Sequence, residues 1–188
     1  MTAAGLIAPE DFWQPFREFA YSVYRLETLQ TYAGSGEAEV IEAFASGQAW
    51  PRSAAKDAWT DNIAANRRAG KLQQRVHVVA EPLSEYMRFE LTWSYGPNVA
   101  AGEDIRIIPV RACEWPADLP HEDYWLFDAS KLYAMRYEAD GTWLGAEPVA
   151  DPRRIVDACR WRDAAISRAT PWRDYIATQP DLQYHLAR

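Results

Sequence analysis

The sequence predicts a single α/β (α+β) domain, a central mixed sheet with flanking helices and antiparallel strands over residues 123–149. Three observations carry this reading. Short β-branched and aromatic runs alternate with amphipathic helical stretches. Asp140-Gly141 separates two such runs in the manner of a tight hairpin turn. Asp151-Pro152 sets an N-cap and a first-turn proline ahead of a long periodic segment. At 188 residues, 48% hydrophobic and 25% charged, the chain has the size and composition of one globular unit. Within it the sequence distinguishes a helical layer with one strand (1–70), an α/β core (71–170) and a C-terminal helix and tail (171–188).

The elements follow in order. Phe12, Phe16, Phe19 and Ala20 recur at helical spacing, predicting a short helix from about Pro9 that Pro15 kinks. Tyr21–Leu29 alternates β-branched and aromatic residues and reads as a strand, with Gly34-Ser35-Gly36 as a later break. Helices are expected over 37–46 and 54–69, the second ending in Arg67-Arg68 before Gly70, where cations suit the helix dipole. Lys71–Ala80 is a strand, after which Pro82 suits a first helical turn. Residues 83–95 fit either state, since Leu83, Tyr86, Met87 and Leu91 have helical spacing while Phe89, Leu91, Trp93 and Tyr95 alternate; helix is chosen. Tyr95-Gly96-Pro97-Asn98 then reads as a turn, Ile105–Val110 as a buried strand, and 109–120 as a surface loop. Tyr124–Phe127 and Lys131–Tyr137 form a hairpin around Asp128-Ala129-Ser130, and Thr142–Val149 adds a third strand. The helix from Pro152 to about Ala169 presents Ile155, Cys159 and Ile166 on one face, and 172–178 forms a last short helix.

Twenty Lys+Arg against 27 Asp+Glu give a formal charge of −7, a field that repels nucleic acid and anionic lipid. No direct nucleic-acid or membrane partner is expected. No apolar run is long enough to span a bilayer and Met1–Gly5 lacks a signal-peptide pattern, so a cytoplasmic location is expected. Cys113 and Cys159 lie far apart without a CxxC, and His77, His121 and His185 lack metal-ligand spacing, so neither metal nor cofactor is expected. Walker, Rossmann and nucleophile-elbow patterns are missing as well.

The runs Gln74–Leu91, Asn98–Arg106, Tyr124–Asp128 and Arg25–Leu29 resemble an actinobacterial domain-of-unknown-function family over nearly the whole chain. The resemblance implies a gene context beside helix-turn-helix regulators, in loci likened to toxin–antitoxin pairs. The element order 72–169 also resembles one half of a phospholipase-D-like fold, whose HxKxxxxD motif supplies a nucleophilic His and a phosphate-neutralising Lys. The aligned run here is His121 to Asp128, with Asp123 at the lysine position. A carboxylate there repels the phosphate charge, and no second motif exists, so the motif is degenerate and no catalytic residue is assigned.

Strand positions i and i+2 share a face, so Arg25 with Glu27, and Asp104 with Arg106, point the same way. Together with Arg75, Arg88, Glu90, Glu103 and Trp125 they are candidates either for buried ion pairs or for a polar ligand pocket. The tail arginines, interleaved with Asp157 and Asp163, read as a solvated helix face. The expectation is therefore a non-catalytic regulatory or interaction module that partners a helix-turn-helix regulator, with Trp172 and Tyr175 as first contact anchors. The alternatives are a phosphodiesterase or nuclease-like toxin, for which His77, His121 and Asp128 are retained, and a small-ligand sensor domain.

Overall fold

The computed structural model describes residues 5–33, 38–51, 53–111 and 114–182. Expectations for Met1–Ala4, Gly34-Ser35-Gly36, the start of the 37–46 helix, Cys113 and His185 lie outside the described residues. The architecture is one seven-stranded mixed sheet with helices, ordered β6-β5-β4-β1-β2-β3-β7. Strands β1 (Ser22–Glu27), β2 (Leu72–Glu81) and β3 (Asp104–Arg111) are parallel. Antiparallel to β1 runs β4 (Tyr124–Phe127), followed by β5 (Lys131–Tyr137) and β6 (Trp143–Val149). A two-residue β7 (Thr170–Pro171) pairs with β3 at Arg106 and Ile107, too short to carry a sequence signal. Among the described residues no strand pairs with the outer edge of β3 beyond that contact, a position in a sheet where a proline such as Pro109 is tolerated.

Helices α2 (Ala38–Ala45) and α3 (Ala54–Arg68) occupy the expected positions, α3 capped by the Ser53 side chain. The N-terminal segment is not one kinked helix: a 3-10 turn at Pro9–Asp11 is followed by α1 (Gln14–Glu18). Pro15 cannot donate to a preceding turn, so α1 has to begin around it. Residues after Pro82 are helical, but the first turn starts at Glu85 under the Ser84 cap, and the helix continues well beyond Tyr95. It comprises α4 (Glu85–Phe89), a π-helical turn (Glu90–Ser94) and α5 (Tyr95–Ala101), so the expected turn at 95–98 is wrong. Every residue from Phe89 to Tyr95 is buried, which is why the apolar pattern shows no clean helical stripe. The widened turn loosens the backbone just ahead of Pro97, and the Leu91 carbonyl accepts a 2.7 Å hydrogen bond from Trp172 Nε1.

The sheet buries both faces. On one, Tyr24, Leu26, Val76, Val78, Ile108, Tyr124 and Leu126 pack on α6 (Pro152–Arg168) through Ala158 and Ala165, with Ile155, Cys159 and Ile166 alongside as expected. Leu119 and Trp115 join this core, so the 114–120 stretch is docked, not a free surface loop. On the other face two apolar clusters flank a charged centre. Phe12, Phe16 and Phe19 cover Val23, Trp125 and Phe127, while Met87, Leu91, Tyr95 and α7 (Trp172–Ala177) cover Val79, Ile105 and Ile107.

Asp151 caps α6 and Pro152 opens it, as expected. The β5–β6 connection runs from Glu138 to Thr142, longer than a two-residue turn; a side chain at Gly141 (φ 88°) would meet the Thr31 carbonyl at 2.5 Å. The β4–β5 connection is Asp128-Ala129-Ser130, as expected, between the paired Phe127 and Lys131; Asp128 and Ala129 are both at positive φ (49° and 51°), and Ser130 N–H donates to Phe127 O at 3.0 Å. Ala129 is an L-residue in left-handed backbone with no polar side chain to compensate. Ala129→Gly is expected to stabilise the protein by about 1 kcal/mol, raising Tm by roughly 2–4 °C. A scanning-calorimetry Tm at or below that of the parent would show the turn to be unstrained.

Candidate functional site

The charged centre is assembled by strand alternation. Positions 25 and 27 of β1, 75 and 77 of β2, and 125 of β4 lie in neighbouring register and share the face that α1, α3 and the π-helical turn cover. Glu27 is the hub: Oε1 accepts from Arg25 Nε at 2.8 Å and from Arg75 Nη1 at 2.7 Å, and Oε2 accepts from the Tyr95 hydroxyl at 2.5 Å. Arg25 Nη2 donates to Asp123 Oδ2 at 3.1 Å and to the Tyr137 hydroxyl at 2.9 Å. Asp123 also accepts from Thr28 N–H and Oγ1–H, each at 2.7 Å, and from the Tyr32 hydroxyl at 2.8 Å. Arg75 Nε donates to Glu103 Oε1 at 3.0 Å, and Asn98 Nδ2 donates to Glu103 Oε2 at 2.9 Å. The guanidinium of Arg25 lies 5.0 Å from the Trp125 ring centroid and that of Arg75 5.8 Å from it.

Burial by itself would raise the Glu27 carboxyl and lower both arginines. The Arg75 and Arg25 charges more than reverse the first effect and hold Glu27 well below the usual carboxylate range. Tyr137, Glu27 and Asp123 around Arg25, and Glu103 and Glu27 around Arg75, keep both guanidinium groups charged. His77 goes the other way, because burial pushes its imidazole below the ordinary 6.5 despite the pull of Glu27. Its Nε2 faces the Leu29 carbonyl at 2.7 Å and so carries the proton, while Nδ1 faces the Tyr95 hydroxyl at 2.7 Å. Tyr95 thus has one proton for two acceptors, Nδ1 and Glu27.

Above this floor is a cavity of about 350 Å³. Arg25, Glu27, Arg75 and Trp125 form its base, and Phe16, Trp59, Phe89, Tyr137 and Trp143 are among its aromatic walls. Phe16 meets Trp125 edge-on at 4.8 Å and Trp59 at 5.3 Å, which fixes one wall. Lys56 of α3 and Glu90 and Ser94 of the π-helical turn also line it, and Lys56 Nζ donates to the Ser94 carbonyl at 2.7 Å.

Six of the nine sequence candidates come together here: Arg25, Glu27, Arg75 and Trp125 at the floor, Glu90 in the wall, and Glu103 behind Arg75. Arg88, Asp104 and Arg106 do not. Arg88 pairs outside with Asp181 at 3.8 Å. Asp104 and Arg106 do share a face, their charges 3.1 Å apart, but alternation puts them on the α6 side of β3, away from Ile105 and Ile107. The degenerate motif is dispersed. Asp123 belongs to the network; Asp128 accepts from the backbone N–H groups of Ala20, Tyr21 and Ser22; His121 is exposed and stacks on Trp115 at 4.2 Å. Trp172 and Tyr175, expected as surface anchors, are 7% and 3% exposed. The tail arginines Arg154, Arg160, Arg162 and Arg168 pair with nearby acids.

Sequence reasoning missed Tyr32, Lys56, Trp59, Tyr95, Asn98 and Tyr137 as site residues. Only Tyr137 carried a usable signal, since it lies two positions from Met135 and four from Tyr133 on one face of β5. Among the described residues, no helix is long and apolar enough to cross a membrane, and no group of three or more His, Cys, Asp or Glu is placed to hold a metal ion.

Residues 10–177 match the family described as a domain of unknown function, DUF6879, and the chain belongs to that family. No curated protein is similar enough to count as a relative.

Removing the hub leaves two buried guanidinium groups short of an acceptor, so Glu27→Ala is expected to cost about 3–5 kcal/mol in urea denaturation. His121→Ala should stay within about 0.5 kcal/mol of the parent. Equal losses in the two variants would show the network to be energetically idle. Because the folded state keeps His77 neutral while the unfolded chain takes up a proton around 6.5, stability is full above that pH and falls as pH drops below it. His77→Gln should flatten this dependence in a series of urea titrations across pH; an unchanged slope would assign it to other groups.

Proposed function

We propose that this member of the domain-of-unknown-function family is a non-catalytic ligand-binding module, in which the cavity over the Arg25–Glu27–Arg75 floor receives a small molecule. One observation carries the reading: among the described residues, the side chains above the buried charged floor leave about 350 Å³ open. A network whose sole task was to fix the fold would do so with the space above it occupied by side chains. The volume, the aromatic walls and the few convergent polar groups are those of small-molecule sites. Trp125, with a guanidinium near its ring, offers a flat surface against which a ligand ring can lie.

The proposed output is regulatory. In this reading a helix-turn-helix regulator receives the signal, and cavity occupancy acts through α2 and α3, which form part of the cavity wall. The gene-context resemblance supports that partner, while the burial of Trp172 and Tyr175 moves the contact surface away from α7.

A fragment screen by thermal shift tests the binding step. A ligand at a hundred times its Kd adds about 2.7 kcal/mol, enough to raise Tm by several degrees. Trp59→Ala, in a wall rather than the floor, is expected to weaken such hits at least tenfold while the variant keeps its circular-dichroism spectrum. Hits indifferent to Trp59→Ala and to Lys56→Ala, or no hits at all, would overturn the reading.

A further inference from the structure

The charges and unsatisfied groups around the cavity narrow the class of ligand, an inference that rests on the binding reading above. Two guanidinium groups, Arg25 and Arg75, face three carboxylates, Glu27, Glu103 and Asp123. The protein has already supplied these arginines with more negative charge than they carry. A phosphate ester or a carboxylate entering the cavity would bring further like charge to a floor that is largely shielded from water, where repulsion is screened least. Lys56 adds one positive charge to the lining and Glu90 one negative, which leaves the balance unchanged, so the site disfavours anions although two arginines line it.

The arginines nevertheless have donors left over. Arg25 uses Nε and Nη2, and Arg75 uses Nε and Nη1. Arg25 Nη1 and Arg75 Nη2 find no acceptor among the described residues. Such groups suit a neutral acceptor, a carbonyl oxygen or a ring nitrogen, which takes the hydrogen bond without adding charge. An acceptor is also left over. Asn98 is 2% exposed and lines the cavity, its Nδ2 is held by Glu103, and that bond fixes the amide so that Oδ1 is the free end. Oδ1 is buried without a partner, as is the Nε1–H of Trp143 in the cavity wall. A buried unpaired polar atom of this kind costs stability until a ligand supplies its partner.

We propose that the ligand is an uncharged, flat nitrogen heterocycle carrying both a carbonyl and a ring N–H, of the kind found in keto nucleobases, and not a nucleotide phosphate or an aromatic acid. Its carbonyl and ring nitrogens accept from the arginines, its N–H donates to Asn98 Oδ1, and its faces lie between aromatic walls.

Isothermal calorimetry on the full chain decides this, with hypoxanthine, uracil, guanosine and adenine set against guanosine 5′-monophosphate and indole-3-carboxylate. At least one keto heterocycle is expected to bind, guanosine at least tenfold tighter than its monophosphate if guanosine is the binder, and adenine, which has no carbonyl, more weakly. Asn98→Ala should reduce that binding at least tenfold. Where Asn98→Ala does not fold, the ranking of neutral against charged probes on the parent chain still decides. Monophosphate or indole-3-carboxylate binding as tightly as the neutral heterocycles overturns the ligand class and leaves the binding reading intact. The same follows if every one of these probes is silent at millimolar concentration while Trp59-dependent fragment hits persist. If neither these probes nor any fragment of the thermal-shift screen binds in a Trp59-dependent way, the cavity is not a ligand site and both readings fall together.

Discussion

A single carboxylate, Glu27, is shared between two arginines from adjacent parallel strands, and most of the charged centre is organised around that sharing. Parallel strands pair through backbone bonds that do not by themselves choose a register, and a slip of one residue would turn Arg75 to the opposite face. A buried charge without its partner costs several kcal/mol, so the ion pairs make the wrong register expensive. Asp123, just before β4, and Glu103, just before β3, extend the same constraint to the neighbouring strands. Four chain segments are therefore indexed against one another by a handful of side chains, in the middle of a sheet whose other residues are mostly interchangeable hydrophobes.

This arrangement explains why a polar centre survives inside the domain. The apolar clusters on either side hold the helices down, Phe12 and Phe16 on one flank and Leu91 and Trp172 on the other. Between them the described helical layer spans the charged residues and leaves space above them, because Trp59 meets Phe16, and Phe89 meets Phe44, edge to face, and these pairs act as props. The tyrosines serve both sides of this boundary: Tyr32, Tyr95 and Tyr137 are packed as rings and bonded as hydroxyls, and burial holds all three protonated well above their ordinary range.

Much of the sheet was legible from local chemistry. Alternation located β1 and β2, and the Asp151-Pro152 pair marked the start of α6 to the residue. Legibility failed where tertiary contacts override local preference. Tyr95-Gly96-Pro97-Asn98 has turn composition, yet it is helical, in a buried segment where a π-helical turn precedes it and Trp172, distant in sequence, satisfies the Leu91 carbonyl. For the site, the two-residue rule correctly paired Arg25 with Glu27 and Asp104 with Arg106. It could not say which face each pair occupies, and that separated Arg106 from the cavity and kept Glu103 beside it. The helical wall was out of reach altogether, since nothing local to Lys56 or Trp59 reports what lies opposite.

The π-helical turn at Glu90–Ser94 also makes the site depend on chain length. A π-turn is in effect an α-helix with one residue inserted, and each α-helical residue advances the helix by about 100°. Deleting one residue there would restore ordinary winding and swing α5 by about a quarter turn or more. Tyr95 would leave Glu27 and Asn98 would leave Glu103, although every residue of the network would still be present. In this domain the spacing of a helix is itself a determinant of the cavity, so a relative that retains all the charged residues but lacks that one extra residue would have a different interior.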